Sequence, residues 1–327
     1  MHLRPLLTVF ALSFACGAYA QGIEKVRFQT DWIPSGEHAM YYGAWQKGIF
    51  TAEGLDISIT RGYGSGDTVT KLAAGAFEFG VADLGAVLTA RARQNIPVKT
   101  IATVYTYSPH SLFVLKSSGI TSFKGLEGKK IGITPGNSHR LYFPKVAQKF
   151  GTDPEKIVWV NMDGAAMAAQ LIARNIDAAP FYSIHHYYQN KAANAAGQEI
   201  VVLPFVKAGF SIYAASLIAS DKLIAEKPET VRKFLRATKK AFEWARDNSA
   251  ETCKLHVQKV PEVAMDDCLG SLRATLEFVF GEHSKKYGWG KEAPDRLAFT
   301  WQVVAESQSL DPKWDPKQAV DTTLLPR

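Results

Sequence analysis

The sequence has few long apolar stretches. The longest, residues 6–15, is far short of the roughly 20 residues that span a bilayer, so a soluble mature protein is expected. Cysteine is scarce, with three in 327 residues. No C-x-x-C and no H-x-x-x-H spacing occurs, which argues against a zinc or dithiol centre; no metal and no cofactor is expected. No G-x-S-x-G elbow and no P-loop lysine appear, so an elbow-type hydrolase and a nucleotide-binding enzyme lose support. Short-period repeats and low-complexity tracts are missing too. The 38 Lys and Arg outnumber the 31 Asp and Glu, giving +7, but they are spread along the chain. Without a basic run, nucleic acid is not an expected partner.

What is present begins with a leader. Arg4 precedes the apolar run, and Ala18-Tyr19-Ala20 supplies an A-x-A site, so residues 1–20 read as a signal peptide cleaved after Ala20. Cys16 would serve a lipoprotein, but Ser13-Phe14-Ala15 before it is a poor acylation site. Export leaves Cys253 and Cys268, an even pair for an oxidising compartment. A bridge between them is expected, the alternative being two thiols too far apart to bond. About 300 mature residues suit two lobes better than one core.

Residues 26–29 read as a strand that empties into a loop carrying Asp31, Trp32 and His38, and residues 39–47 read as the helix that follows. In α/β sheets ligands sit beyond the carboxyl ends of strands. A second strand, 55–60, leads into Gly62-Tyr63-Gly64-Ser65-Gly66 and a helix at 68–74, where Ser65 and Gly66 offer backbone N–H groups to an anion or carbonyl. Asp83 follows a short strand, 79–82, and either caps the next helix or faces a cleft. Tyr105 and Tyr107 fall between strands 98–104 and 111–116, where a crossing between lobes is expected. A further strand, 129–133, runs into Asn137, Ser138 and Arg140; Arg140 is suited to clamp a carboxylate or is simply a surface residue. Residues 228–248 read as a long amphipathic helix with Val231, Phe234, Leu235, Thr238, Phe242 and Ala245 on its buried face.

The run D-W-x-P-x(3)-H-x(2)-Y-x(2)-A-x(3)-G-x-F, residues 31–50, resembles the opening strand, loop and helix of the NMT1/THI5-like family. Residues 75–83 and 124–132 resemble further segments of that family, with Glu78 where an Asp is usual. The resemblance implies an α/β, two-lobed periplasmic-binding-protein fold of type II. Each lobe would be a mixed sheet flanked by helices, with two hinge crossovers. It implies lobe one from 21–107 and 217–327 and lobe two from 108–216. It further implies a periplasmic, non-enzymatic and monomeric solute-binding component that docks transiently on an ABC permease and ATPase. The ligand expected is a small planar heterocycle such as a thiamin pyrimidine precursor; an aromatic carboxylate or sulfonate is the alternative. The family's pyrimidine synthase has a reactive histidine in the loop matching His38, but its clustered cysteines are missing here. A sensor-feeding binding module is the remaining class.

The ligand-binding set expected from residues and resemblance together is Asp31, Trp32, His38, Tyr41, Ser65, Gly66, Asp83, Tyr105, Tyr107, Asn137, Ser138, Arg140, Tyr182 and His186. Trp32 and Tyr182 would sandwich a flat ligand, with Asp31 accepting from a ring N–H. Pyrimidine-binding members carry an acidic residue a turn after the aromatic of the 182 loop. This chain has none there, which weakens the pyrimidine expectation.

Overall fold

A computed structural model describes residues 22–326; the leader and the Cys16 alternative lie outside them. Ten strands form two five-stranded sheets. They are β1 (Glu24–Gln29), β2 (Leu55–Thr60), β3 (Phe79–Asp83), β4 (Val98–Thr103), β5 (His110–Leu115), β6 (Lys130–Ile133), β7 (Val158–Asn161), β8 (Ala178–Tyr182), β9 (Ile200–Pro204) and β10 (Ala215–Ser220). The first sheet has the order β2-β1-β3-β10-β4 and the second β7-β6-β8-β5-β9. In each, one strand runs against its neighbours: β10 is antiparallel to β3 and β4, and β5 is antiparallel to β8 and β9. β3, β5 and β8 are buried along their whole length, at the centre of sheets covered on both faces, which explains their near-continuous apolar runs.

The chain passes between sheets twice, after β4 and after β9. These are the two crossovers of the expected α/β, two-lobed fold. β10 begins at Ala215, two residues before the return to lobe one expected at 217. The crossings are held side by side, because Val104 and Tyr105 both donate backbone N–H groups to the Ala215 carbonyl.

Helix Pro228–Asp247 covers the first sheet with the face its periodicity announces; all six anticipated residues are buried. Phe234 stacks on Phe79 with ring centroids 3.9 Å apart and meets Phe28 and Phe50. Helices Ser249–Lys259 and Met265–Val279 then return toward the loop after β1, joined by the Cys253–Cys268 disulfide. The bridge closes a loop of 15 residues. Replacing both cysteines by serine is therefore expected to cost about 3 kcal/mol in a urea titration, against no loss on reduction of the variant.

The helix after the bridge reaches the other lobe as well. Lys191 of that lobe pairs with Asp266 and Asp267, while Phe278 stacks on Tyr107 at the crossing, 4.0 Å away. No helix among the described residues is long and apolar enough to cross a membrane.

Candidate functional site

The loops beyond β1, β2, β6 and β8 converge between the sheets. Two lobes touch directly here: the Gly66 N–H donates to the Gly136 carbonyl at 3.0 Å. Gly64 sits at φ 120°, and a Cβ there would lie 2.6 Å from Gly136 backbone carbon, so only glycine suits both the turn and the contact. Behind this seam lies a cavity of about 30 Å³, room for only one or two water-sized groups while the lobes stand this close, so a larger guest requires them to part. Its lining comes from both lobes: Asp31, Trp32, Glu37, Gly64 and Ser65 on one side, Asn137, Ser138, His139, Pro180, Phe181, Tyr182 and His185 on the other.

Trp32 is half-buried. Its indole rests on the helix start at Gly164, where an added Cβ would lie 2.8 Å from the ring. It also packs on the second lobe's cluster around Phe113, Met167 and Phe181. Tyr182 stands edge-on to Tyr105 at 6.0 Å and to His110 at 5.0 Å. Asp31 faces His38 Nε2 through Oδ1 at 3.3 Å. Ser65 lines the cavity, but its hydroxyl accepts the Asp83 N–H at 2.9 Å. Ser138 Oγ reaches His110 Nε2 at 3.1 Å. Asn137 Oδ1 takes the His139 backbone N–H and faces His139 Nδ1, each at 2.9 Å.

Eight anticipated residues are placed away from the cavity. Tyr41 is core, between Phe28 and Phe242. His38 is buried behind Asp31. Gly66 spends its N–H on Gly136 and faces an outer groove. Asp83 caps the following helix by accepting the Gly85 N–H, and it accepts from Tyr142 Oη across the lobes. Tyr105 donates to Glu37 Oε2 from behind at 3.2 Å. Tyr107 lies on Phe278. Arg140 lies exposed in the outer groove, 5.4 Å over the Trp159 ring. His186 turns its ring edge toward Phe113.

Sequence reasoning missed Glu37, Gly64, His139, Pro180, Phe181 and His185. Glu37 is the most consequential: its carboxylate is buried, with Oε1 2.7 Å from His185 Nε2 on the opposite lobe. A signal existed, since Ser35-Gly36-Glu37-His38 puts an acid next to the histidine already singled out.

Burial opposes the Glu37 charge, but the nearby His185 and His38 outweigh it and hold the carboxyl below its ordinary value of 4.5. For His38, burial favours the neutral ring, yet Glu37 and Asp31 together raise it above 6.5. His139 goes the other way: burial first, then His110, push it well below 6.5, so it is neutral. The depressed Glu37 contributes stability that is complete above 4.5 and fades as pH falls below that value. The raised His38 contributes stability that is complete below 6.5 and is lost as pH rises through its raised value. In thermal denaturation the acid limb below pH 4.5 is therefore expected to be flatter in Glu37→Gln than in the parent. An acid limb identical in parent and variant would contradict the assignment. Among the described residues no cluster of three or more metal-ligating side chains occurs.

Comparison with known proteins gives the family and the fold. The family model described as "NMT1/THI5 like" matches residues 35–252. The riboflavin-binding protein RibY of Chloroflexus aurantiacus is 27% identical over 312 residues, 93% of this chain and 87% of that one. A 4-amino-5-hydroxymethyl-2-methylpyrimidine phosphate synthase of Saccharomyces cerevisiae is 26% identical over 284 residues, covering 82% and 83%. Among solved structures, the alkanesulfonate-binding protein SsuA of Xanthomonas axonopodis bound to MOPS superposes with a TM-score of 0.67 at 16% identity, covering 92% and 99%. That last likeness shows the fold.

Proposed function

Since the chain belongs to the NMT1/THI5-like family, we propose that it is the solute-binding component of an ABC importer, capturing a flat heterocycle that carries N–H or amino donors. One observation carries the choice of ligand. The twelve lining residues include two carboxylates and no lysine or arginine. A sulfonate or carboxylate would meet two buried carboxylates and no lysine or arginine in the lining. Arg140, the residue suited to an anion, lies outside the cavity. Trp32, Phe181 and Tyr182 supply aromatic surface, and Asp31 Oδ1 is shared with His38 while its carboxylate still borders the space. The relatives named for riboflavin and for an aminopyrimidine fit this class.

Export to the periplasm after cleavage at Ala20, lobe limits at 21–107 with 217–327 and 108–216, a monomeric state, and docking on a permease and ATPase belong to the same proposal. So does the absence of catalysis. The yeast relative is a named synthase, but His38, the residue in the place of a reactive histidine, is buried behind Asp31 rather than lining the cavity.

The test is a thermal-shift screen of riboflavin, 4-amino-5-hydroxymethyl-2-methylpyrimidine, aromatic acids and alkanesulfonates. A heterocycle at 100 times its Kd adds about 2.7 kcal/mol. Stabilisation by sulfonates alone would overturn the proposal. Turnover of a pyrimidine-forming mixture of pyridoxal phosphate and iron would overturn the non-enzymatic part.

A further inference from the structure

His185 occupies a position unlike any other residue of the cavity. Its Nε2 is committed to Glu37 Oε1 at 2.7 Å, a bond that runs from one lobe to the other. Its Nδ1 is buried and has no hydrogen-bond partner among the described residues. The residue borders the empty space. A buried ring nitrogen without a partner carries a desolvation penalty that a ligand atom would remove. Glu37 is fixed independently, by Tyr105 Oη on its second oxygen. The loop carrying it is wedged: a Cβ at Gly36 would lie 2.3 Å from the Cys268 carbonyl. The Glu37 carboxylate is therefore a rigid anchor in one lobe, and the His185 ring is held to it from the other.

We propose that His185 is the specificity-determining residue that couples ligand to closure: Nδ1 hydrogen-bonds a polar ring atom of the ligand, while Nε2 latches the lobes through Glu37. The inference rests on the binding reading above and adds to it a site for one polar atom of the guest. The bond that reads the ligand and the bond that closes the cleft share one imidazole. A ligand seated on Nδ1 holds the ring in the orientation the latch needs, so contact with the ligand and contact between lobes reinforce one another.

The two nitrogens can be tested apart. In His185→Gln the side-chain amide reaches as far as Nε2 and retains a donor for Glu37 but nothing at Nδ1. In His185→Asn the amide takes the place of Nδ1 and falls short of Glu37. Spin labels at Asp56→Cys and Asn194→Cys, exposed positions on the two lobes, report opening by pulsed dipolar spectroscopy. Calorimetry with riboflavin and with 4-amino-5-hydroxymethyl-2-methylpyrimidine reports binding.

His185→Gln is expected to keep the parent's interlobe distances and lose at least tenfold in affinity for whichever probe binds. His185→Asn and Glu37→Gln are expected to shift the ligand-free distances toward the open form. Parent-like affinity in His185→Gln would overturn the reading role of Nδ1. Unchanged distances in both His185→Asn and Glu37→Gln would overturn the latch. Binding of neither probe by the parent would end the proposed ligand class, while the distances still decide the latch.

Discussion

A Trp32→Ala variant is expected to bind the heterocyclic ligand about 150- to 900-fold more weakly than the parent, with the ligand-free Tm little changed. The indole is half-buried and reaches across from the loop after β1 to the second lobe's apolar cluster. Removing it deletes both a face of the cavity and part of the surface on which the lobes meet. Losing an aromatic face of roughly 100 Å² at about 25 cal/mol per Å², with a stacking preference of about 0.5–1.5 kcal/mol, comes to about 3–4 kcal/mol. That corresponds to the stated range. Calorimetry at fixed temperature measures it. Phenylalanine at the same position should recover most of the loss, because the face matters more than the indole N–H. A Trp32→Ala protein with parent-like affinity would mean that the ring seals the lobes without touching the ligand.

Gly164→Val should weaken the same ligand by about tenfold to a hundredfold, through the opposite lobe and without removing any group that contacts it. Gly164 opens helix Gly164–Ile172 behind an Asp163 cap, with no unusual backbone angle, so its own lobe tolerates a side chain. The obstacle is Trp32, whose ring would lie 2.8 Å from the new Cβ. An indole can swing, but the swing carries it into the cavity or holds the lobes apart. Either outcome costs affinity, in the range of about 1.4–2.7 kcal/mol. The pairing of this variant with Trp32→Ala is informative: the two effects should not add, because both act on one contact. Additive losses would place the effect of Gly164→Val somewhere other than the indole.

How much of this was legible in the sequence follows from what each feature depends on. The strands and the long helix were readable because their apolar positions recur with a local period. Phe234 and Phe242 announce the buried face of helix Pro228–Asp247 without reference to anything distant. The loops after β1, β2 and β6 were readable because glycine, proline and polar residues cluster at strand ends, and Asp31, Trp32, Ser65, Asn137 and Ser138 do line the cavity. Tyr182 joined them from β8.

The misplaced residues share another cause. Tyr41 and Tyr105 have polar tips on large apolar bodies, and burial took the bodies. Arg140 lies two positions past Ser138, yet the start of its helix turns it outward to Trp159. Glu37 and His185 were invisible for a different reason. They are 148 residues apart, and nothing local says that two lobes will close one onto the other. The acid that seemed missing after Tyr182 does reach this part of the cavity, from the other lobe.

The central claim is that a cleft with buried carboxylates, aromatic faces and no lysine or arginine selects a flat, donor-bearing guest. Calorimetric titration of the protein with riboflavin, 4-amino-5-hydroxymethyl-2-methylpyrimidine, MOPS and nitrate, at one pH between 5 and 7, tests it most directly. The account predicts saturable binding of at least one heterocycle and no heat from either anion. Tight binding of MOPS or nitrate with silence from both heterocycles would contradict it.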